Sequence, residues 1–217
     1  MNGFQRVIWD FNGTLLDDAG ICLECLNELR RRRSMPAIPL EYYLEHFDFP
    51  VKEFYRKIGF DFDAEPYDVP AMEWVELYHS RIWTDGRLHE GAEDVLRTLR
   101  DKGLSQGVLS AYHRGMLEKS LAHFNIRGYF DPVLGLQDHY SASKVELGRD
   151  WVRSCPTDPA RIILIGDTLH DAETARAMGV RCALIAKGFQ AKHRLFESGA
   201  PVLDDIRAVP GYLSAGT

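Results

Sequence analysis

Five side chains that could do chemistry each follow a short apolar run. Asp10 comes straight after Val7-Ile8-Trp9, and Ser110 closes the run over 104–110. Lys144 lies beyond the run over 132–136. Asp167 and Asp171 follow Ile162-Ile163-Leu164-Ile165-Gly166. Short continuous apolar runs read as strands covered on both faces, and the carboxyl ends of parallel strands share the edge where α/β sheets bind ligands. Residues far apart in the chain would therefore meet at one place. Carboxylates gathered there repel one another unless a cation joins them. A hard divalent ion with oxygen ligands, Mg²⁺ foremost, is the natural partner. A lysine and free backbone amides would then neutralise a phosphate group.

The elements that must position these residues fall into two kinds. From Asp18 to about Trp83 the apolar spacing is helical throughout. A first helix runs into Arg30-Arg31-Arg32-Arg33, a second covers 40–47, a third starts after Pro50 and stops at Gly59, and a fourth covers 70–83. Pro36, Pro39 and Pro50 separate them, as helix breakers and starters do. No strand pattern appears in that span. After Gly86, helices over 91–102, 114–124, 142–154, 169–178 and 191–198 alternate with strands over 104–110, 132–136, 161–166 and 180–186. Such alternation predicts βα units and a parallel sheet with helices on both faces. The expected fold is α/β, a Rossmann-like doubly wound parallel sheet with an inserted all-helical cap. Residues 1–16 and 86–217 would form the core and residues 17–85 the cap.

Composition narrows the possible functions. The chain has 217 residues, 45% of them hydrophobic and 27% charged, with a net charge of −6. That balance suits a buried core and argues against a nucleic-acid partner, which would call for a basic face. No apolar run reaches membrane-spanning length, and the N-terminus enters the first strand with no room for a secretory leader, so a cytoplasmic protein is expected. Four cysteines are present, at 22, 25, 155 and 182. Cys22 and Cys25 have CxxC spacing without a matching pair, which leaves buried thiols on one helix face as the expectation. A monomer or a homodimer fits equally.

The ordered motifs resemble those of the haloacid dehalogenase superfamily, in the phosphatase branch with a helical C1-type cap that includes phosphoglycolate phosphatases and β-phosphoglucomutase. The family's DxDGT appears as Asp10-Phe11-Asn12-Gly13-Thr14, its strand-end hydroxyl as Ser110, its lysine as Lys144, and its GDxxxD as Gly166-Asp167 with Asp171. The resemblance implies a Mg²⁺-dependent phosphatase of a small phosphorylated metabolite. Asp10 would be the nucleophile that forms an aspartyl-phosphate. Mg²⁺ would be held by Asp10, the Asn12 carbonyl and Asp167, with Asp171 in support. Ser110, the Ala111 amide and Lys144 would bind the phosphoryl oxygens.

One position departs from the family. Asn12 stands where the phosphatases carry the Asp that protonates the leaving group, either as a natural variant or as a substitution that traps an intermediate. An amide exchanges no proton, and general acid–base assistance is worth about 10²–10⁴-fold. Substrates with undemanding leaving groups, such as acyl or aryl phosphates, or another proton carrier such as His113 or His170, would compensate. If Asn12 alone limits the rate, Asn12→Asp is expected to raise turnover of alkyl phosphates more than of aryl ones. Two other readings stand beside the phosphatase. One is carbon–phosphorus cleavage through a Schiff base on Lys52, as in phosphonoacetaldehyde hydrolases. The other is a catalytically weak phosphate-binding or regulatory protein. Lys52 and Arg56 on the third helix are candidate specificity residues, and Arg30 to Arg33 reads as a solvated helix end.

Overall fold

A computed structural model of the protein describes residues 3–137 and 143–215. The chain begins with strand β1 (Arg6–Trp9), in which Val7, Ile8 and Trp9 are completely buried. A short strand β2 (Leu16–Asp17) leads into four helices, α1 (Ala19–Arg32), α2 (Leu40–His46), α3 (Val51–Lys57) and α4 (Asp68–Asp85). Strand β3 (Arg87–Leu88) returns antiparallel to β2, pairing Leu88 with Leu16. Then follow α5 (Ala92–Asp101), β4 (Ser105–His113), α6 (Arg114–His123), β5 (Val133–Leu136), α7 (Lys144–Ser154), β6 (Ile162–Gly166), α8 (Leu169–Met178), β7 (Arg181–Ile185), α9 (Lys192–Leu195), β8 (Val202–Leu203) and α10 (Val209–Ala215).

Six of the strands make one parallel sheet in the order β5-β4-β1-β6-β7-β8. The first strand is central, with Trp9 opposite Val108 on one side and Ile165 on the other. Gln106, buried beside it on β4, is bonded at both ends of its amide. Gln106 accepts from Trp9 Nε1 at 3.1 Å and donates to the Leu96 carbonyl at 2.8 Å, as burial of an amide requires. The α/β expectation therefore holds. Beyond the predicted strands, the sheet has β8 at its edge, and β2 and β3 form a separate two-stranded ribbon at the ends of the helical segment. Pieces of two residues are too short to leave a periodic signature.

The helical segment packs on itself and on the sheet's loops. Helix α1 lies against α4, and Tyr43, Phe47, Phe54, Tyr55 and Phe60 form a buried aromatic cluster. Phe47 and Tyr43 meet Phe189 of the core with ring centroids 5.3 and 6.4 Å apart. Arg194 donates to the Phe47 carbonyl at 2.7 Å and to Asp48 at 3.0 Å, and Gln190 reaches the same carbonyl at 3.0 Å. These bonds take up the Phe47 carbonyl at the C-terminal end of α2, which the helix leaves unpaired.

Several expectations need correction. The strand predicted to end on Ser110 continues to His113, with a register shift between Leu109 and His113 that puts Ser110 in the irregular stretch. Helix 142–154 was to begin at Ala142, which lies outside the described residues, and the helix observed is Lys144–Ser154. The arginine run is only partly solvated. Arg30 is buried, donating to the carbonyls of Pro36 at 2.8 Å and of Ile58, and Arg33 pairs with Glu65 at 2.6 Å and Glu73 at 3.1 Å. A buried guanidinium is tolerated there because its forked donors satisfy carbonyls where the chain turns. Met72 in α4 is an apolar side chain left 51% exposed. Cys22 and Cys25 are buried free thiols in α1, as expected.

Candidate functional site

The sheet's carboxyl edge gathers the predicted residues. Asp10 is the residue after β1, and its amide donates to the Ile165 carbonyl at 2.8 Å, which draws it beside the end of β6. Asp167 follows β6 immediately. Asp171 stands in the first turn of α8, and Lys144 is the first residue of α7. Both helices start on a capping box, Ser143 with Glu146 and Thr168 with Asp171. Reciprocal side-chain caps fix the direction of a helix's first turn, so the two boxes aim Lys144 and Asp171 at each other.

Lys144 Nζ donates to Asp10 Oδ1 and, at 2.6 Å, to Asp171 Oδ1. All three side chains are buried. Asp171 Oδ2 accepts from Thr168 Oγ1 at 2.7 Å and from the amides of Thr168 and Asp167 at 3.0 and 3.2 Å. Asp167 Oδ1 accepts from Thr14 Oγ1 and Oδ2 from the Phe189 amide, both at 2.7 Å. Ser110 is buried, its Oγ accepting from the Tyr112 amide at 3.0 Å, while Ala111 is exposed. The pairing of β1 with β4 sets Val108, two residues before Ser110, opposite Trp9, the residue before Asp10.

The charges are unevenly shared. Burial pushes the Asp10 carboxyl up to about 7, helped by Asp171 and opposed by Lys144. Burial and both neighbouring carboxylates push Asp167 up as well. For Asp171, burial is outweighed by Lys144 and the Thr168 donors, and its carboxyl lies below the usual value. Lys144 is raised by its two partners against the effect of burial. Ligand oxygens of Asp10, Asp167 and Asp171 lie within 4.8 Å of one another. Three carboxylates against one lysine leave a buried excess of negative charge, and oxygen donors at that spacing suit a hard divalent cation.

Two glycines make room for this arrangement. Gly13 has φ +79°, and a Cβ there would meet the Asp167 carboxylate and the Phe189 ring. A Cβ on Gly188 would strike the same carboxylate. Gly13→Ala is thus expected to lower Tm by about 4–8 °C, from a left-handed backbone and a displaced Asp167. Gly20→Ala is the control, because that helical position has nothing within 4 Å. Its Tm should stay level or rise slightly. Thermal melts of the two variants check both, and equal shifts would refute the steric account.

Residues 7–185 match the family described as haloacid dehalogenase-like hydrolase. The chain belongs to that family. Over 186 residues it is 25% identical to the tyrosine-protein kinase PtkA of Mycobacterium tuberculosis, covering 85% of this chain and 63% of the kinase. It thus spans less than two thirds of that relative. It is 24% identical over 189 residues to the N-acetylmuramic acid 6-phosphate phosphatase of Pseudomonas putida, covering 85% and 84% of the two chains. A haloacid dehalogenase-like family hydrolase from Streptococcus pneumoniae superposes with a TM-score of 0.84 at 17% identity, covering 98% of this chain and 99% of that one.

Against this haloacid dehalogenase-like frame, the remaining candidates fall in different places. Lys52 is exposed on α3, over the rings of Phe62 and Tyr67 at 5.9 and 5.8 Å, and Arg56 pairs with Glu53 at 2.5 Å. Their contacts are with that outer face. His170 lies 4.9 Å from the Phe49 ring and 3.5 Å from Glu173, and His113 accepts from the Gly115 amide.

The sequence reading passed over Asp18, Tyr78 and His89. Asp18 is completely buried at the start of α1, yet its carboxylate caps no helix amide. It accepts from Asn12 Nδ2 at 2.8 Å, Tyr78 Oη at 2.6 Å and the Gly13 amide at 2.9 Å. Burial raises its carboxyl, and these donors oppose the shift. His89 Nε2 lies 2.9 Å from the Gly13 carbonyl. Asp17-Asp18 at a strand-to-helix junction reads as an ordinary N-cap pair, so only the failure of Asp18 to cap reveals its other use.

Proposed function

We propose that this protein is a Mg²⁺-dependent phosphatase of small phosphorylated metabolites, with Asp10 as nucleophile and helices α1–α4 as a cap over the site. The observation that carries this reading is the buried Asp10–Lys144–Asp171 chain beside Asp167, at the sheet edge where phosphate would dock. Relatives named as phosphatases support it. The four free cysteines suit a reducing, cytoplasmic compartment.

In this reading an Asp10 carboxylate oxygen attacks phosphorus, the bond from phosphorus to the ester oxygen breaks, and the leaving oxygen departs as an alkoxide or aryloxide that takes its proton from water. Water then attacks the aspartyl-phosphate, releasing inorganic phosphate and restoring the carboxylate. Lys144, Ser110 Oγ and the Ala111 amide donate to the phosphoryl oxygens, which carry charge throughout the transfer. Mg²⁺ held by Asp10, the Asn12 carbonyl and Asp167, with Asp171 in support, would supply the positive charge that lets one anion approach another. Asn12 offers no proton, so the leaving oxygen must depart nearly unaided.

The deciding experiment is turnover with Mg²⁺ of an aryl phosphate against an alkyl phosphate. The aryl ester should be favoured by about 10²-fold or more, the scale of missing acid catalysis, and chelation should abolish both rates. No turnover of either ester and no phosphoenzyme would sink the reading. A second reading has one observation in its favour, the similarity to a protein named as a tyrosine kinase. There the phosphoenzyme would be discharged to a hydroxyl other than water, and transfer to an added tyrosine peptide in place of phosphate release would favour it. Nothing in the position of Lys52, over Phe62 and Tyr67, favours carbon–phosphorus cleavage.

Cation binding should also depend on pH. Asp10 is raised from 3.8 to about 7 in the fold, so its contribution to stability is present below about pH 4 and is lost as pH rises through 7. Asp167 acts in the same direction. A divalent ion relieves this only where the carboxylates are ionised. At 100 times its dissociation constant, Mg²⁺ should raise Tm by about 5–10 °C at pH 7.5, and by less at pH 5.5. An equal or larger shift at pH 5.5 would contradict the assignment.

A further inference from the structure

Asn12 sits in surroundings built for an amide. Its Nδ2 donates at 2.8 Å to Asp18 Oδ2 and lies 2.8 Å from Tyr78 Oη, while Tyr78 Oη donates to the same Asp18 oxygen at 2.6 Å. The other Asp18 oxygen accepts from the Gly13 amide at 2.9 Å. A completely buried carboxylate accepts and cannot donate, so it dictates which way the neighbouring amide is turned. The nitrogen of Asn12 is held, and its oxygen is the amide atom left to meet a water or a leaving group. Each partner comes from a different part of the chain. Asn12 belongs to the turn after β1, Asp18 to the β2–α1 junction, and Tyr78 to α4, where Trp74 stacks on it at 4.9 Å.

We propose that Asp18 and Tyr78 are positioning residues that clamp the Asn12 amide, making positions 12 and 18 an amide–carboxylate pair whose members can be exchanged. The proposal deepens the phosphatase reading and rests on it for its catalytic part. Asn12 then acts as an acceptor that orients water, and it is aligned only while α4 lies over the turn. The surroundings also identify Asn12 as the residue this site is made for. A site arranged for an acid at position 12 would offer it donors, whereas this one places a buried carboxylate there.

The consequence reverses the expectation drawn from sequence. Asn12→Asp sets two carboxylates 2.8 Å apart with one wholly buried, and like charges at that distance in low dielectric repel strongly. Asp18→Asn turns one amide nitrogen toward another. Combining the two restores the bonds that join positions 12, 13, 18 and 78, because Asn at 18 accepts from the Gly13 amide and donates to Asp at 12, and Tyr78 donates to that acid; only the long contact from the Cys22 thiol is lost.

The test is a double-mutant cycle of Asn12→Asp and Asp18→Asn, read by Tm and by turnover of alkyl and aryl phosphates. Each single change should lower Tm, and the double variant should recover about 2–10 °C relative to additivity. On alkyl phosphates the double variant should exceed Asn12→Asp by about tenfold or more, the lower bound for acid–base assistance being about 10². Tyr78→Phe, which keeps the ring, should lower kcat about 10- to 100-fold with KM little changed, the cost of one bond to a charged group. Additive Tm shifts, or an Asn12→Asp enzyme that matches the double variant, would overturn the clamp. Unchanged kcat in Tyr78→Phe would overturn the part assigned to α4. If no variant and no wild-type protein turns over either ester, the phosphatase reading fails. The Tm cycle then decides the clamp alone, with non-additivity supporting it and additivity refuting it.

Discussion

Replacing Asp10 by alanine is expected to abolish turnover while leaving the fold intact or more stable. A nucleophile that forms a covalent intermediate cannot be bypassed by its neighbours, and its removal should cost on the order of 10⁴–10⁶-fold in kcat. Stability should move the other way. The Asp10 carboxyl is buried and pushed up to about 7, so keeping it ionised at pH 7.5 costs the fold free energy. Lys144 keeps Asp171 as a partner at 2.6 Å when Asp10 is gone. The Tm of Asp10→Ala at pH 7.5 should equal or exceed that of the wild type, a stability–function trade-off seen at many active sites. Rapid acid quench after mixing with an aryl phosphate should trap labelled phosphate on the wild type and none on the variant. Residual turnover within tenfold of the wild type would exclude Asp10 as nucleophile.

Lys144→Met should do the opposite, damaging both the fold and the reaction. Lys144 is the only cation bonded to Asp10 and Asp171 among the described residues, and each of the three is buried. Removing one partner of a buried ionic cluster leaves uncompensated charge and costs about 3–5 kcal/mol, or a fall of about 6–20 °C in Tm. The sign of the pH dependence separates this from simple loss of packing. Without Lys144 the Asp10 carboxyl rises further and Asp171 loses the partner that holds it down, so the deficit is greatest above pH 7 and shrinks as the carboxylates take up protons in acid. Mg²⁺ should restore part of the lost Tm, since it replaces positive charge, but little turnover, since it does not replace the donor to the phosphoryl oxygens. A deficit independent of pH from 5 to 8 would show that Lys144 matters mainly as a packed aliphatic chain.

Both predictions start from residues that were legible without coordinates. Asp10, Lys144, Asp167 and Asp171 each follow a run whose apolar character is local, and strand ends in a parallel sheet share an edge by topology alone. Ser110 was expected to close its strand, but the irregular stretch that carries β4 on to His113 was not visible. Such irregularity reflects pairing with β5, which no local pattern records. Arg30 was misread for a related reason. A run of four arginines at a helix end looks solvated, and only the path of the chain at Pro36 and Ile58 gives Arg30 carbonyls to bond.

The order of strands and helices, the buried carboxylate site and the four-helix insertion were already in the order of residues. They depend on periodicity and on motifs a few residues long, both of which are local. What position 12 does was decided only by the tertiary structure. Asn12 by type is a missing acid. In the fold it is a donor held by a carboxylate six residues away and by a tyrosine 66 residues away. The direction of an amide depends on which atoms close on it from other elements, and no spacing rule encodes that. Tyr78 on its helix face looks like any core aromatic until α4 brings its hydroxyl against the turn after β1.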